Sequence, residues 1–411
     1  MALYAFDGTW NVDEEKPGKD TNVVRFTELY AGTNVDYLAG VGTRWGALGR
    51  VLGGVFGAGG RTRIDEMYDE LRRHWLAGDR DIDIVGFSRG AALALHFANR
   101  IAGHGVSLEG GRTEKARIRF LGLWDVVGSF GLSFNNILDF QEINLGWDIT
   151  RVADSVDHCF HAMALDERRE SFGVTRLNPD QSLHRVRETW FRGVHSDIGG
   201  GNENTARSNI ALNWMLGHAI ACGVPIDSAG AAGEKYATMD PAAKISENRD
   251  IQRDARREVL PGDEVHESAR PRKLRVGEAH TSTVRSELKY NWSGVLLEAG
   301  SRYEFIVDPE QCWRDGELEA CGPGGWKTEQ LPWFRERIVE RFEGHRRHPQ
   351  ADWFEVIGAM GDEDDQLLRI LSADRVFTAD HDAELYYFAN DLKSKYDNNS
   401  GAIEVTVRRL A

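Results

Sequence analysis

The stretch "IVGFSRGAALALHFANRI", residues 84–101, constrains this chain more than any other. A β-branched apolar run ends at Gly86, and an alanine-rich run with helical spacing begins near Arg89. Between them stands Gly86-Phe87-Ser88-Arg89-Gly90, a G-x-S-x-G pattern. The pattern is short and occurs by chance. Its context is what makes it specific: a strand directly before and a helix directly after. Such a turn must be tight to expose the serine hydroxyl, and flanking glycines let neighbouring backbone pass close by. Small residues Ala91, Ala92 and Ala94 allow the helix to pack near a sheet. The plain alternative is a βα turn with a serine cap; the strand–turn–helix context favours a nucleophile.

The flanking pattern extends this unit. Residues 2–6, 82–86, 118–124 and 186–194 read as strands. Residues 62–77, 89–103 and 208–222 read as helices. On the first helix Ile64, Met67, Tyr68, Leu71 and Trp75 share one face, and Gly78 follows as a stop. A further strand and turn is read near 37–45. Strands alternating with helices imply a parallel sheet covered on both faces. The glycine-rich run at 46–60 lacks the GK[ST] ending of a phosphate-binding loop and reads as a loop or loose helix beside a site.

A serine nucleophile needs a base, and the base needs an orienting carboxylate. In a sheet of this kind they follow in the order Ser, Asp, His. Asp125 ends the apolar strand "IRFLGLW", at the edge where sites gather. His195 follows another strand, in "WFRGVHSDIGGG". His161 and His184 are the alternative bases, and Asp197 is placed to cap or to bond across the site. The oxyanion hole is expected from the backbone N–H of Arg89 and that of Gly8 or Thr9, with Asp7 able to orient their loop.

With 411 residues the chain exceeds one typical core, so two domains are expected. Residues 226–262 lack an apolar period and read as linker or surface insertion. From about 290 the runs "RYEFIVD", "DWFEVIG", "ELYYFAN" and "AIEVTV" alternate like strands and carry many aromatics, which favours an all-β module with one helical insertion. The division is therefore a catalytic domain over 1–225, a linker over 226–289 and a β-sandwich over 290–411. A formal net charge of -15 argues against a nucleic-acid partner. None of the four cysteines has CxxC spacing, so zinc is not expected; Cys312 and Cys321 are near enough in sequence to pair in an oxidising compartment. Neither a cleaved signal peptide nor a run of about 20 apolar residues is visible. The reading is a chain made in the cytoplasm, with export that needs no signal peptide left open.

Six ordered segments carry a family resemblance: "FDGTWN", "GVGT", "GFSRGA", "LWDVVGSFG", "HAMALDERRESF" and "WFRGVHSDIGGG". Together they resemble the α/β-hydrolase-like domain of type VI secretion phospholipase effectors, over about residues 1–225. The resemblance implies a Ser-Asp-His lipase or esterase, in some members a phospholipase, with Ser88, Asp125 and His195 as the triad and no cofactor for catalysis. A lipid or other ester would be the substrate, with transient membrane contact. "HAMALDERRESF" matches a family segment without a clear chemical role.

The C-terminal part, roughly 290–411, resembles the small galactose-binding lectins of the PA-I type. "YYFANDLKSKYDNNSGAIEVTV" is similar to their last strands and calcium loop, and "GVLLEAGSRYEFIVDPEQCWRDG" to the preceding hairpin. The resemblance implies calcium held by Asp391, Asn398 and Asn399 with backbone carbonyls near Gly316 and Lys395, and a glycan held by the ion. Hard oxygen ligands of this kind suit calcium. As a simple polar turn, "YDNNSG" would show the same Asn, Ser and Gly content. The competing overall reading is a carbohydrate-binding protein on a catalytically degenerate hydrolase scaffold.

Overall fold

The structure is a computed structural model. It describes residues 1–8, 20–39, 58–128, 149, 151–202, 205–241, 243, 245–246, 257–327, 344–362, 364, 366–371 and 376–411, with backbone alone at 58–61. Two compact units emerge, Met1–Ala269 and Arg270–Ala411.

The first unit is built on a seven-stranded sheet. Its strands are β1 (Ala2–Phe6), β2 (Asn34–Leu38), β3 (Ile82–Phe87), β4 (Ile118–Trp124), β5 (Val156–Ala164), β6 (Val186–Phe191) and β7 (Glu264–Val265). Their order across the sheet is β2-β1-β3-β4-β5-β6-β7, and every pair is parallel. Chain direction reverses its march beside β1, with β2 on one side and β3 on the other. In open parallel sheets that switch point marks the crevice where ligands bind.

The near-continuous apolar strands follow from burial on both faces. Side chains alternate between two cores. Tyr4, Phe6, Ile82, Ile84, Leu121 and Leu123 join one. Leu3, Ala5, Val85, Phe87, Phe120 and Trp124 join the other. Helices α2 (Ala58–Leu76) and α3 (Ser88–His104) cover the first face. Helices α1 (Asn22–Leu29) and α5 (Ser208–Ala221) cover the second; between them in sequence, α4 (His195–Gly199) is a single short turn. All five residues expected on the apolar face of α2 are buried. The strand expected over 186–194 ends at Phe191, because Gly193 turns the chain at φ +129°.

Among its described residues, the stretch from 226 to 262 has an organisation that its composition concealed. Asp227 caps a one-turn helix through Ala229 and Gly230, and Tyr236 is buried under a second. The first holds by a polar cap and the second carries one buried aromatic rather than an apolar stripe, so no periodicity announces them. β7 then pairs with β6, and the division between the two units falls at 269/270, inside the stretch expected as linker.

The second unit carries two largely antiparallel sheets that share one apolar core. One sheet contains β8 (Arg272–Lys273), β10 (Asn291–Leu297), β17 (Ala383–Ala389), β14 (Trp353–Met360) and β13 (Gly324–Trp326), with β15 (Leu367–Leu368) paired to β14. The other runs β9 (Ala279–Arg285), β19 (Ala402–Arg409), β11 (Arg302–Val307) and β16 (Val376–Thr378). A small ladder joins β12 (Arg314–Asp315) to β18 (Asn399–Ser400). Tyr303, Phe305, Val405 and Val407 of one sheet face the same core as Leu297, Val356, Leu385 and Tyr387 of the other, which is the layering of a β-sandwich. The glycine-rich run at 46–57 and most of the helical insertion lie outside the described residues. All four cysteines are free, Cys312 and Cys321 included. Among the described residues no helix is long and apolar enough to cross a membrane.

Candidate active site

The register of the parallel sheet gathers the candidate residues at one edge. Phe6 pairs with Gly86, Phe87 with Trp124, Trp124 with Ala162, and Ala164 with Phe191. Asp7, Ser88, Asp125 and the turn leading to His195 therefore all leave the sheet at the same C-terminal edge.

Ser88 is buried and sits at φ +59°, the left-handed region that side chains avoid. Its neighbours are tightly confined as well. A Cβ on Gly90 would stand 2.4 Å from the carbonyl oxygens of Phe6 and Asp7, and one on Gly86 would stand 2.7 Å from the Ala91 Cα. Both glycines are thus demanded by backbone approach. Asp125 is the second strand-end residue in this state, at φ +44°. Its N–H donates to the Ala162 carbonyl at 2.7 Å, which holds the turn. Each such conformation costs about 1–3 kcal/mol and persists only where surroundings impose it.

Asp125 and His195 meet directly. His195 Nδ1 lies 2.6 Å from Asp125 Oδ2, and both side chains are almost wholly buried. The His195 ring packs 4.6 Å from the Phe87 ring and 4.9 Å from that of Phe172. Phe87 is the chain neighbour of Ser88, so the imidazole stands beside the turn that bears the serine. The His195 amide donates to Glu167 Oε2 at 3.2 Å.

The electrostatics divide the pair. Burial alone would raise the Asp125 carboxyl. The Arg257 guanidinium and the His195 hydrogen bond outweigh it and hold the group well below the carboxylate range. Burial lowers the His195 imidazole, and although Asp125 pulls it back, the net shift is downward. At neutral pH the arrangement is a carboxylate beside a neutral imidazole.

The alternative bases are placed elsewhere. His161 is buried with both ring nitrogens engaged: Nε2 accepts from the Val126 N–H at 3.1 Å, and Nδ1 bonds Glu188 at 3.0 Å. It props the Asp125 turn and has no free nitrogen for a substrate. His184 is exposed just before β6, at the opposite edge of the sheet. Asp197 caps α4, accepting from the Val194 and Ser246 amides at 3.1 and 2.9 Å.

For the oxyanion hole, Arg89 lies in the first turn of α3, where backbone N–H groups have no intrahelical acceptor. The expectation for Gly8 needs correcting. Its N–H donates to Asp7 Oδ1 at 2.7 Å, so a local side-chain bond has already taken that donor. Asp7 itself is fixed at the end of β1, since its Oδ2 also accepts from the Thr21 and Tyr37 hydroxyls at 2.8 and 2.7 Å. Thr9 lies outside the described residues.

Two side chains that contact the Asp125–His195 pair escaped the sequence reading. Glu167, from "HAMALDERRESF", is buried, accepts from the His195 amide and is paired with Arg169 at 2.9 Å. Arg169 in turn stacks 3.4 Å over the Phe172 ring that touches His195. The buried acid had a signal in its motif, but its target is remote in sequence. Arg257 grips Asp125 from the non-periodic stretch, with Nη1 at 2.6 Å from Oδ1 and Nη2 at 3.0 Å from Oδ2.

In the second unit, pairing of Asp315 with Asn399 draws the expected calcium residues together. Asp391 is buried; its Oδ2 accepts from Asn399 Nδ2 at 3.0 Å and its Oδ1 from the Leu392 N–H at 2.6 Å. Asn399 Oδ1 is buried without a hydrogen-bond partner. Asn398 Nδ2 donates to Asp315 Oδ1 at 2.9 Å. Gly316 turns at φ +53° with Asn398 packed against it, and the Lys395 carbonyl accepts from the Asn398 N–H at 3.4 Å. Asp315 is the acid that the sequence reading missed. Its carboxyl is pushed up to about 6, first by burial and then by the Asp391 charge. A carboxyl raised by the charge of a second one, with an orphaned amide oxygen on the residue that bonds that second one, fits a hard cation. Asp315, Asp391 and Asn399 would hold it.

The parallel sheet, the strained serine turn and the buried Asp–His pair define an α/β-hydrolase-like domain. Residues 3–116 and 107–218 match the model of the type VI secretion phospholipase effector Tle1-like catalytic domain. Those matches span more than half of the chain, which belongs to this family. No curated protein matches it. Among solved structures, the chain is similar to an uncharacterized protein from Pseudomonas aeruginosa at 23% identity and a TM-score of 0.39, over 55% of this chain and 46% of that one. It thus spans less than half the length of that relative. The Tle1 effector bound to the VgrG spike matches at 16% identity and a TM-score of 0.37, over 99% of this chain and 68% of that one. The EclA N-terminal domain, a PllA-like lectin, matches at 17% identity and a TM-score of 0.23, over 32% of this chain and 95% of that one.

Proposed function

We propose that this chain is a serine hydrolase that cleaves carboxylic esters of lipids, phospholipids first among them. The observation that carries the reading is the 2.6 Å contact between His195 Nδ1 and Asp125 Oδ2, set beside the strained turn of Ser88. With Nδ1 given to Asp125, Nε2 is the nitrogen left to take the Ser88 proton as Oγ attacks the ester carbonyl. The tetrahedral oxyanion is stabilised by the Arg89 N–H and by a second donor from the loop after β1, for which Thr9 is the remaining candidate. Collapse expels the alcohol, which leaves with the proton from His195, and an acyl-Ser88 ester remains. Water attacks that ester with His195 again as base, releasing the carboxylic acid and restoring the serine. The lowered imidazole and the fully ionised Asp125 support this division of roles. Family membership supports the lipid substrate.

The test is labelling by a fluorophosphonate probe, together with fatty-acid release from phosphatidylcholine vesicles. Wild type should label and release acid; Ser88→Ala should do neither, since loss of a triad nucleophile costs about 10⁶-fold. A folded Ser88→Ala protein with unchanged turnover of short p-nitrophenyl esters would end the reading.

A second reading concerns Arg270–Ala411. The Asp315 carboxyl, raised in part by the Asp391 charge, and the unpartnered Asn399 Oδ1 support a calcium site there, through which sugar hydroxyls would be held. It is compatible with the hydrolase reading. The catalytically degenerate alternative is disfavoured by the engaged Asp125–His195 pair.

A further inference from the structure

Asp125 is bound by more than an orienting carboxylate requires. His195 takes one side of Oδ2, and the Ala164 N–H donates to Oδ1 at 2.9 Å. Across both oxygens lies Arg257, whose guanidinium makes two further bonds: Nη1 to the Ala164 carbonyl at 2.7 Å and Nη2 to the Phe172 carbonyl at 2.6 Å. Its side chain is 5% exposed. We propose that Arg257 is a positioning residue for ester hydrolysis, fixing the Asp125 carboxylate in the orientation that receives the His195 Nδ1–H. The proposal deepens, and rests on, the serine-hydrolase reading of this site.

Geometry argues for positioning rather than neutralisation alone. A guanidinium is a planar fork with fixed donor directions, so a two-point grip sets the plane of a carboxylate as well as its charge. The fork cannot drift, because both of its terminal nitrogens are also tied to backbone carbonyls. Those carbonyls belong to the end of β5 and to the residue whose ring packs on His195. One side chain thereby joins the tip of β4, the tip of β5 and the wall of the imidazole. Arg257 is itself anchored shortly downstream. Asp263 accepts from the Leu260 N–H at 2.9 Å, pairs with Arg176 at 2.7 Å and accepts from Trp190 Nε1 at 2.8 Å.

A cation in this place leaves a mark that a purely structural role would not. It favours ionised Asp125 and opposes a proton on His195. Removing it should move the acid limb of kcat/KM to higher pH. A residue that only stabilised the fold would lower the melting temperature and leave that limb where it was.

The experiment measures kcat and KM for p-nitrophenyl butyrate against pH, on the full chain. Wild type, Arg257→Gln, Arg257→Lys and Ser88→Ala are compared, with thermal melts by circular dichroism. Arg257→Gln should lose about 10²-fold in kcat, the cost of a misplacement of about 1 Å, with KM near wild type and the acid limb moved up. Arg257→Lys keeps the charge without the fork, so its limb should stay near wild type while kcat remains about tenfold low. Wild-type kcat in Arg257→Gln, or a loss with the limb unmoved, would overturn the proposal. Should the glutamine variant fail to fold, the lysine variant decides: reduced kcat at unchanged KM supports positioning, and wild-type kcat refutes it. Activity surviving in Ser88→Ala would remove the hydrolase reading itself. A dead Ser88→Ala beside an unaffected Arg257→Gln would remove only this inference.

Discussion

Gly90→Ala adds one methyl group where the backbone leaves no room. Its Cβ would lie 2.4 Å from two carbonyl oxygens, those of Phe6 and Asp7, where ordinary contact begins at 3.4 Å. The shortfall is therefore 1.0 Å. Neither oxygen belongs to a flexible side chain: Phe6 is the last residue of β1, which is paired on both sides in the sheet. The strain must go into the start of α3, which slides away from β1 and carries Ser88 with it. Overpacking of this kind costs about 1–3 kcal/mol, and each kcal/mol lowers the melting temperature of a large domain by about 2–4 °C. The catalytic cost should be larger in proportion, because a displacement near 1 Å at a nucleophile removes about 10²-fold in rate. Thermal melts by circular dichroism and kcat on a p-nitrophenyl ester measure the two effects on one sample. An alanine variant with wild-type melting temperature and wild-type kcat would refute the close approach of α3 to β1, and with it the account of why a glycine stands there.

Asp125→Asn should leave His195 in the wrong tautomer and lower turnover by about 10⁴-fold, read as kcat at saturating ester. The acid limb of the wild-type kcat/KM profile should lie below the ordinary imidazole value of about 6.5, because burial lowers His195 and the proposed reaction uses the neutral ring as base. The same shift makes stability fall as pH drops below that ordinary value, since the unfolded chain binds the proton first. Added calcium should raise the melting temperature of wild type and not of Asp391→Ala, while ester hydrolysis continues in a chelator. A flat calorimetric titration with calcium would leave the second unit a β-sandwich without that ion.

The strands and helices around Ser88 were legible because each carries its own period. Alternation sends Leu3, Ala5 and Val85 to one core and Tyr4, Phe6 and Ile84 to the other, and a linear pattern encodes that directly. Asp125 and His195 were legible by position, as polar residues at the ends of apolar strands. What could not be read is the set of contacts that closes over them. Arg257 lies 132 residues from Asp125, and no local period marks it. Glu167 and His161 were visible as polar residues in a motif. Their partners, the His195 amide and the Val126 amide, are set only once β4, β5 and β6 align. Gly8 was misjudged for the opposite reason. Its N–H is claimed by its immediate neighbour Asp7, a short-range competition that strand-end logic overlooks. In the second unit, the turn containing Asn398 and Asn399 was readable from composition. The approach of Asp315 depended on a two-residue ladder.

The attachment of β7 to the edge of the sheet has a consequence for anyone who would cut this protein down to its hydrolase-like core. The family match stops at residue 218, which invites a fragment ending there. Such a fragment would retain Ser88, Asp125 and His195 and still be missing part of what holds them. It would lose Arg257 from Asp125, the Asp263 carboxylate from Arg176 and Trp190, and the strand that covers β6. Stripping one partner from a buried ion pair costs about 3–5 kcal/mol, a large share of the roughly 5–15 kcal/mol that keeps a domain folded. The smallest excisable unit should therefore be sought near Ala269, and a piece cut at 218 should come out of the cell insoluble or silent although Ser88, Asp125 and His195 are all present in it.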